Sequence, residues 1–139
     1  MPKICRYYIK AGMLYFVLAF AVGLIMALHP FVPLIPNAAA LRPVFFHMVM
    51  IGWISQLIIG VAIWMFPKYT RDMPRGNDRL SWAVFVTLNI GLALRVVFEP
   101  LAAFNPGGDF GLLLTVSAAL QLAAGWMFVL NTWGRVKER

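Results

Sequence analysis

Residues 11–28, 43–67, 80–94 and 110–134 contain no Asp, Glu, Lys or Arg. A helix needs roughly 20 apolar residues to cross a hydrocarbon core about 30 Å thick. The first, second and fourth runs fall in that range alone, and the third does so when it continues through Arg95 to Phe98. Closed β-barrels are the other spanning solution, and unbroken apolar runs exclude their alternating pattern. Charged residues make up only 12% of the chain, against about a quarter in a soluble domain. The expectation is an all-α polytopic membrane protein: one domain over residues 1–139, with transmembrane helices at about 8–28, 43–66, 80–100 and 109–133.

The net charge of +7 is distributed by topology. Lys3, Arg6 and Lys10 precede the first run; Lys68, Arg71, Arg75 and Arg79 follow the second; Arg135, Lys137 and Arg139 end the chain. The other two connections hold Arg42 as their one cation, with Glu99 and Asp109. Basic residues thus alternate with the spans as the positive-inside rule requires. Both termini and the middle loop are expected in the cytoplasm, with the chain multi-pass in the cell (inner) membrane. The charge reports orientation in a lipid bilayer and gives no reason to expect a nucleic-acid partner. Ala38-Ala39-Ala40 resembles a signal-cleavage site, but it lies well beyond an apolar run too long for a secretory signal, so the first helix reads as retained. Cys5, the single cysteine, falls on the reducing side and reads as inert.

Prolines punctuate the spans. Pro30, Pro33, Pro36 and Pro43 separate the first two helices, since proline lacks an N–H and suits a first turn. The apolar loop between them (Phe31, Val32, Leu34, Ile35) is expected to dip into the interface or pack over the bundle. Pro67 closes the second helix, and Pro100 with Asn105-Pro106-Gly107-Gly108 shapes the second outer loop. Trp53, Trp64, Trp82, Trp126 and Trp133 read as an aromatic belt.

Ionisable residues inside a span are expensive and mark function. Four stand out: His47, Arg95, Glu99 and, at the lip, His29. All fall toward the outer ends of their helices. At 3.6 residues per turn, positions 47, 50, 51, 54, 58 and 61 share one face, presenting His47 from a wall that includes Met50, Ile51 and Ile54. Gly52, Gln56 and Gly60 fall on a different face, suited to close helix packing. An imidazole heading an apolar stripe suits an axial haem ligand; a histidine hydrogen-bonded to a neighbouring helix is the plainer reading. Arg95 and Glu99, four residues apart, can form a local ion pair, or Arg95 can neutralise an anion such as a haem propionate. Asn89, Ser117 and Gln121 read as interhelical hydrogen-bonding groups. Met13, Met26, Met48 and Met50 with both histidines leave open a copper carrier, although Met48 and Met50 cannot share a helical face.

The stretch from Phe46-His47 through Gly52-Trp53 and Gly60-Val61-Ala62 to Phe66-Pro67 resembles the second transmembrane helix of the catalytic subunit of haem–copper oxidases, including the nitric oxide reductase branch. Asn89-x-Gly91 is more weakly similar. The resemblance implies that His47 is an axial ligand to a low-spin b-type haem. It covers about twenty residues of the second span. The later helices that carry the family's second axial ligand and copper-site histidines have no counterpart, so oxygen or nitric oxide reduction by this chain alone is not implied. His29, His47 of another copy or an exogenous ligand would complete the iron. The family's pseudo-threefold arrangement of four-helix arcs makes a homotrimer the oligomer the resemblance suggests, ahead of a dimer.

The expected function is therefore membrane haem binding for electron transfer or gas and redox sensing, with His47 and His29 as candidate iron ligands and Met50, Ile51, Ile54 and Arg95 around the group. A redox partner or respiratory complex is implied. The competing expectations are a non-catalytic structural or assembly subunit of such a complex and the copper carrier.

Overall fold

The computed structural model describes residues 1–70 and 74–136; of the basic residues assigned to the middle loop and the C-terminal tail, Arg71, Lys137 and Arg139 lie outside them. The regular secondary structure of the described residues is all helical, without a strand, and four helical stretches are long and apolar enough to cross a membrane. The first is α1, Lys3–Leu28. It starts five residues before the expected position 8, because lysine and arginine are good helix formers and a helix end beyond the hydrocarbon tolerates their charge.

The second span, Ala38–Met65, is composite. A 3₁₀ turn over Ala38–Leu41 is capped by Asn37, whose Oδ1 accepts from the Ala39 amide at 3.1 Å. It leads into α2 (Arg42–His47), a π-helical segment (Met48–Ser55) and α3 (Gln56–Met65). Phe66 leaves the helix with φ −61° and ψ 148°, the extended conformation that a following proline imposes. Pro67 ends this helix as expected.

The third span is α4, Asp78–Phe104. Asn77 caps it by accepting from the Arg79 and Leu80 amides, and Asp78 sits in the positive first turn. Pro100 was expected in the outer loop but lies within α4. Its ring deprives only one carbonyl of a donor, a loss a membrane helix absorbs, and the helix continues until the Asn105 amide and side chain close on the Leu101 carbonyl. The fourth span is α5, Gly111–Thr132, extended by a 3₁₀ turn, Trp133–Arg135.

The helices pack in chain order. α1 lies on the second span, the second span on α4, and α4 most extensively on α5. The start of α1, the end of α3, the start of α4 and the end of α5 meet at one end of the bundle, called here the basic end. Tyr8 Oη donates to the Ser81 carbonyl there. A buried cluster of Ile4, Cys5, Tyr8, Ile59, Ile63, Val84, Leu88 and Ala124 fills that end, and Ala19, Val44 and Met48 form a smaller one toward the other. Cys5 is fully buried within the first. Two glycines allow the close approach of α1: a Cβ on Gly52 would meet Tyr15 Cγ at 2.7 Å, and one on Gly60 would meet Tyr8 Cβ at 2.8 Å. The small-residue packing face is therefore real.

Two further expectations change, those for Arg135 and Trp53, and one of the two alternatives for the first loop drops out. Arg135, read as a tail cation, is buried. Its guanidinium donates to the carbonyls of Ile63, Phe66, Pro67 and Arg75, and lies over the Phe66 ring. It closes the carbonyl-rich end of α3, which would otherwise have no donors. Of the two alternatives for the loop between the first two spans, packing over the bundle is not seen, since Phe31, Val32 and Leu34 face outward. Trp64, Trp82, Trp126 and Trp133 are exposed as a belt would be, but Trp53 stacks on Phe16 at 4.3 Å.

Candidate functional site

Of the four ionisable residues singled out from the sequence, His47, Arg95 and Glu99 meet at α4. Glu99 stands between the other two. One carboxylate oxygen lies 3.0 Å from His47 Nδ1, and the other accepts from Arg95 Nη1 at 3.3 Å. Both charged side chains are mostly buried, at 16% and 14% relative exposure for Arg95 and Glu99, whereas His47 retains 29%.

His47 Nδ1 also lies 2.9 Å from the Pro43 carbonyl one turn earlier. A carbonyl can only accept, so this contact is a hydrogen bond only if Nδ1 carries the proton. The neutral imidazole then has its lone pair on Nε2. No group among the described residues bonds Nε2. The ring is thus held by one nitrogen with the other left free, and it is part-exposed.

Arg95 is engaged at every nitrogen. Nη1 donates to Glu99, Nη2 to the Leu114 carbonyl at 3.4 Å, and Nε to Ser117 Oγ at 3.3 Å. Ser117 in turn donates to the Gly91 carbonyl at 2.6 Å and accepts from Gln121 Nε2 at 3.2 Å. Its hydroxyl hydrogen and both lone pairs are therefore in use. Asn89 pairs reciprocally with the buried Gln56 at 3.1 and 3.2 Å and donates to the Phe85 carbonyl. Asn89 and Ser117 are the interhelical groups they were expected to be, whereas Gln121 bonds within α5, to Ser117, whose hydroxyl makes the crossing to α4.

The anticipated stripe from His47 to Val61 does not survive as one face. Met50, Ile58 and Val61 point outward, while Ile51 packs against the buried cluster and Ile54 is half-buried. The π-helical segment is the cause, because i→i+5 bonding puts more residues in each turn than an α-helix does. His47 and Gln56 are nine residues apart, two and a half α-helical turns, and would face opposite ways. Both instead bond to α4. Ser55 Oγ donates to the Met50 carbonyl, five residues back, at 2.7 Å, which supports the widened turn. No local sequence signal for this segment was apparent.

His29 joins none of these contacts. Its Nδ1 is the one buried side-chain polar atom among the described residues without a hydrogen-bond partner. No three of the described His, Cys, Asp and Glu residues gather as a metal site. Met48 is buried and Met50 exposed, so their thioethers diverge. Comparison with family models, with curated proteins and with solved structures finds no match to this chain.

Proposed function

We propose that this chain is a membrane haem protein in which His47 Nε2 ligates the iron of a b-type haem. One observation carries the reading: His47 Nδ1 faces two acceptors, the Pro43 carbonyl and the Glu99 carboxylate. Metal-ligating histidines are typically oriented in this way, with the second nitrogen bonded to a carboxylate or carbonyl that fixes the tautomer and raises ligand basicity. The residues fit the group in donor type and surroundings, since one free imidazole nitrogen stands beside outward-facing Met50 and apolar neighbours. Bound haem would supply one-electron chemistry or, with an open position, gas binding.

Within this reading the chain's own groups divide the work. Pro43 and Glu99 set the ring's orientation, and Arg95 supplies the counter-charge to Glu99. Arg95 spends three of its five N–H donors on Glu99, Leu114 and Ser117, so it anchors Glu99 and keeps two donors with which to meet a propionate. His47 is part-exposed at the protomer surface, so a second ligand from another copy (a homotrimer by the haem–copper resemblance) is favoured over closure within one chain. His29, with its unpaired nitrogen, is the ligand within the chain that competes. The charge pattern supports a cytoplasmic position for both termini, with the His47 end toward the outer face of the cell membrane.

The second reading is a non-catalytic subunit of a respiratory complex, favoured by the partners that Arg95 and both Glu99 oxygens have within the chain. There the network is a clamp between spans. The visible spectrum of the full chain, purified in detergent after haem-replete expression, separates the two. A Soret band and a reduced α band that vanish in His47→Ala and persist in His29→Ala are expected. Colourless wild-type protein would sink the haem reading and leave the clamp.

A further inference from the structure

Lys3, Arg6, Tyr7 and Lys10 line a surface pocket of about 320 Å³ at the start of α1. The spacing puts all four on one side of the helix, and all four are exposed. The pocket carries the positive charge of three side chains. No carboxylate among the described residues forms an ion pair with any of the three cations. The first turn of α1 carries no acidic residue, and no side chain caps it, so the helix adds the positive end of its dipole to the same place.

The position of this pocket relative to the membrane decides what fills it. The charge-free run of α1 begins at Ala11, immediately after Lys10. The Tyr7 ring packs on Trp82 at 5.2 Å and on Phe85 at 6.2 Å, and such amphipathic rings settle at headgroup level. The pocket thus has cations on its rim, an aromatic wall, and a depth at the boundary between lipid and water.

We propose that it is a binding site for the phosphate of an anionic phospholipid headgroup, with Lys3, Arg6 and Lys10 as its cationic contacts and Tyr7 as its wall. Three cations around one phosphate disfavour a headgroup that carries its own positive charge, which gives selectivity for anionic over zwitterionic lipid. The same phosphate chemistry could be met by a free phosphate from the aqueous side; the aromatic wall and the boundary position favour the lipid.

The test uses the full chain in nanodiscs of zwitterionic lipid titrated with an anionic glycerophospholipid, with bound lipid counted by native mass spectrometry. A basic residue near a charged membrane surface contributes about 1 kcal/mol, or roughly fivefold, to binding. Lys3→Gln, Arg6→Gln and Lys10→Gln are each expected to weaken retention of the anionic lipid about fivefold, and the triple substitution on the order of a hundredfold. Each single variant keeps two of the three cations, so the insertion signal largely survives. Lys68→Gln with Arg79→Gln, which removes two exposed cations elsewhere, is expected to leave retention unchanged. Equal loss in this control would show diffuse attraction and overturn the site. Inorganic phosphate at millimolar concentration is the second arm: displacement of the lipid at that concentration would reassign the pocket to a free anion and overturn the lipid assignment.

Discussion

Arg95 and Glu99 should behave as one thermodynamic unit, and a double-substitution cycle measures it. Their nearest charged atoms are 3.3 Å apart and both side chains are largely buried. At an effective dielectric of about 20 the direct attraction of such a pair is about 5 kcal/mol before desolvation. Breaking a buried pair from one side costs about 3–5 kcal/mol, because the remaining charge is left uncompensated. Arg95→Met strips Glu99 of its counter-charge, while Glu99→Gln leaves the guanidinium with only Ser117 and the Leu114 carbonyl. Each single variant is therefore expected to lose about 3 kcal/mol. The double variant removes both charges together, so its loss should fall short of the sum by about 2 kcal/mol. Equilibrium unfolding in mixed micelles titrated with a denaturing detergent reads all four corners of the cycle. Additivity within about 0.5 kcal/mol would refute the coupling, and with it the placement of Glu99 between Arg95 and His47.

The basic end offers a sharper structural test. Arg135→Met should destabilise the chain by about 3 kcal/mol in the same assay, since it orphans the carbonyls of Ile63, Phe66 and Pro67 together. Arg135→Lys should recover only part of this, because an ammonium cannot reproduce the planar fork; a silent Arg135→Met would show that water closes the α3 end equally well. Gly52→Ala should cost about 1–3 kcal/mol through overpacking against Tyr15. Gly125→Ala, with open space around its Cβ, should be neutral or slightly stabilising, and equal effects at the two sites would remove the argument from close packing.

The four spans were legible because a charge-free run of helix-spanning length has few other physical solutions. The end of the second helix at Pro67 was legible for a similarly local reason. Arg135 was not: its charge fits the positive-inside pattern as well as any exposed cation, and only the arrival of α5 beside the end of α3 turns it inward. Pro100 misled for the opposite reason, as a strong local breaker near a helix end can be carried by the turns on either side. At the candidate site, the residue types were legible and their pairing was incomplete. Arg95–Glu99 follows from spacing within one helix, whereas His47–Glu99 joins positions 52 residues apart. Ser117 reads from the sequence as an interhelical hydrogen-bonding group, but its role as an anchor for Arg95 depends on the register of α5 against α4.

The π-helical segment explains why these contacts occur on one side of the second span. Gln56 has an unavoidable partner requirement, because its amide is fully buried and an unpaired amide in an apolar interior costs several kcal/mol. Asn89 on α4 meets that requirement. With α-helical periodicity throughout, satisfying Gln56 would turn His47 to the far side, away from Glu99. Widening the helix between them lets one face serve both polar groups, at the expense of the regular stripe that an α-helix would have shown. The segment begins at Met48, the residue after His47, and ends at Ser55, the residue before Gln56. Departures from α-geometry of this kind are found disproportionately at functional sites, and here its limits coincide with the two side chains whose directions it reconciles. A helix selected only to span lipid would have no use for that reconciliation, so the orientation of His47 toward α4 is the feature any account of this chain has to explain.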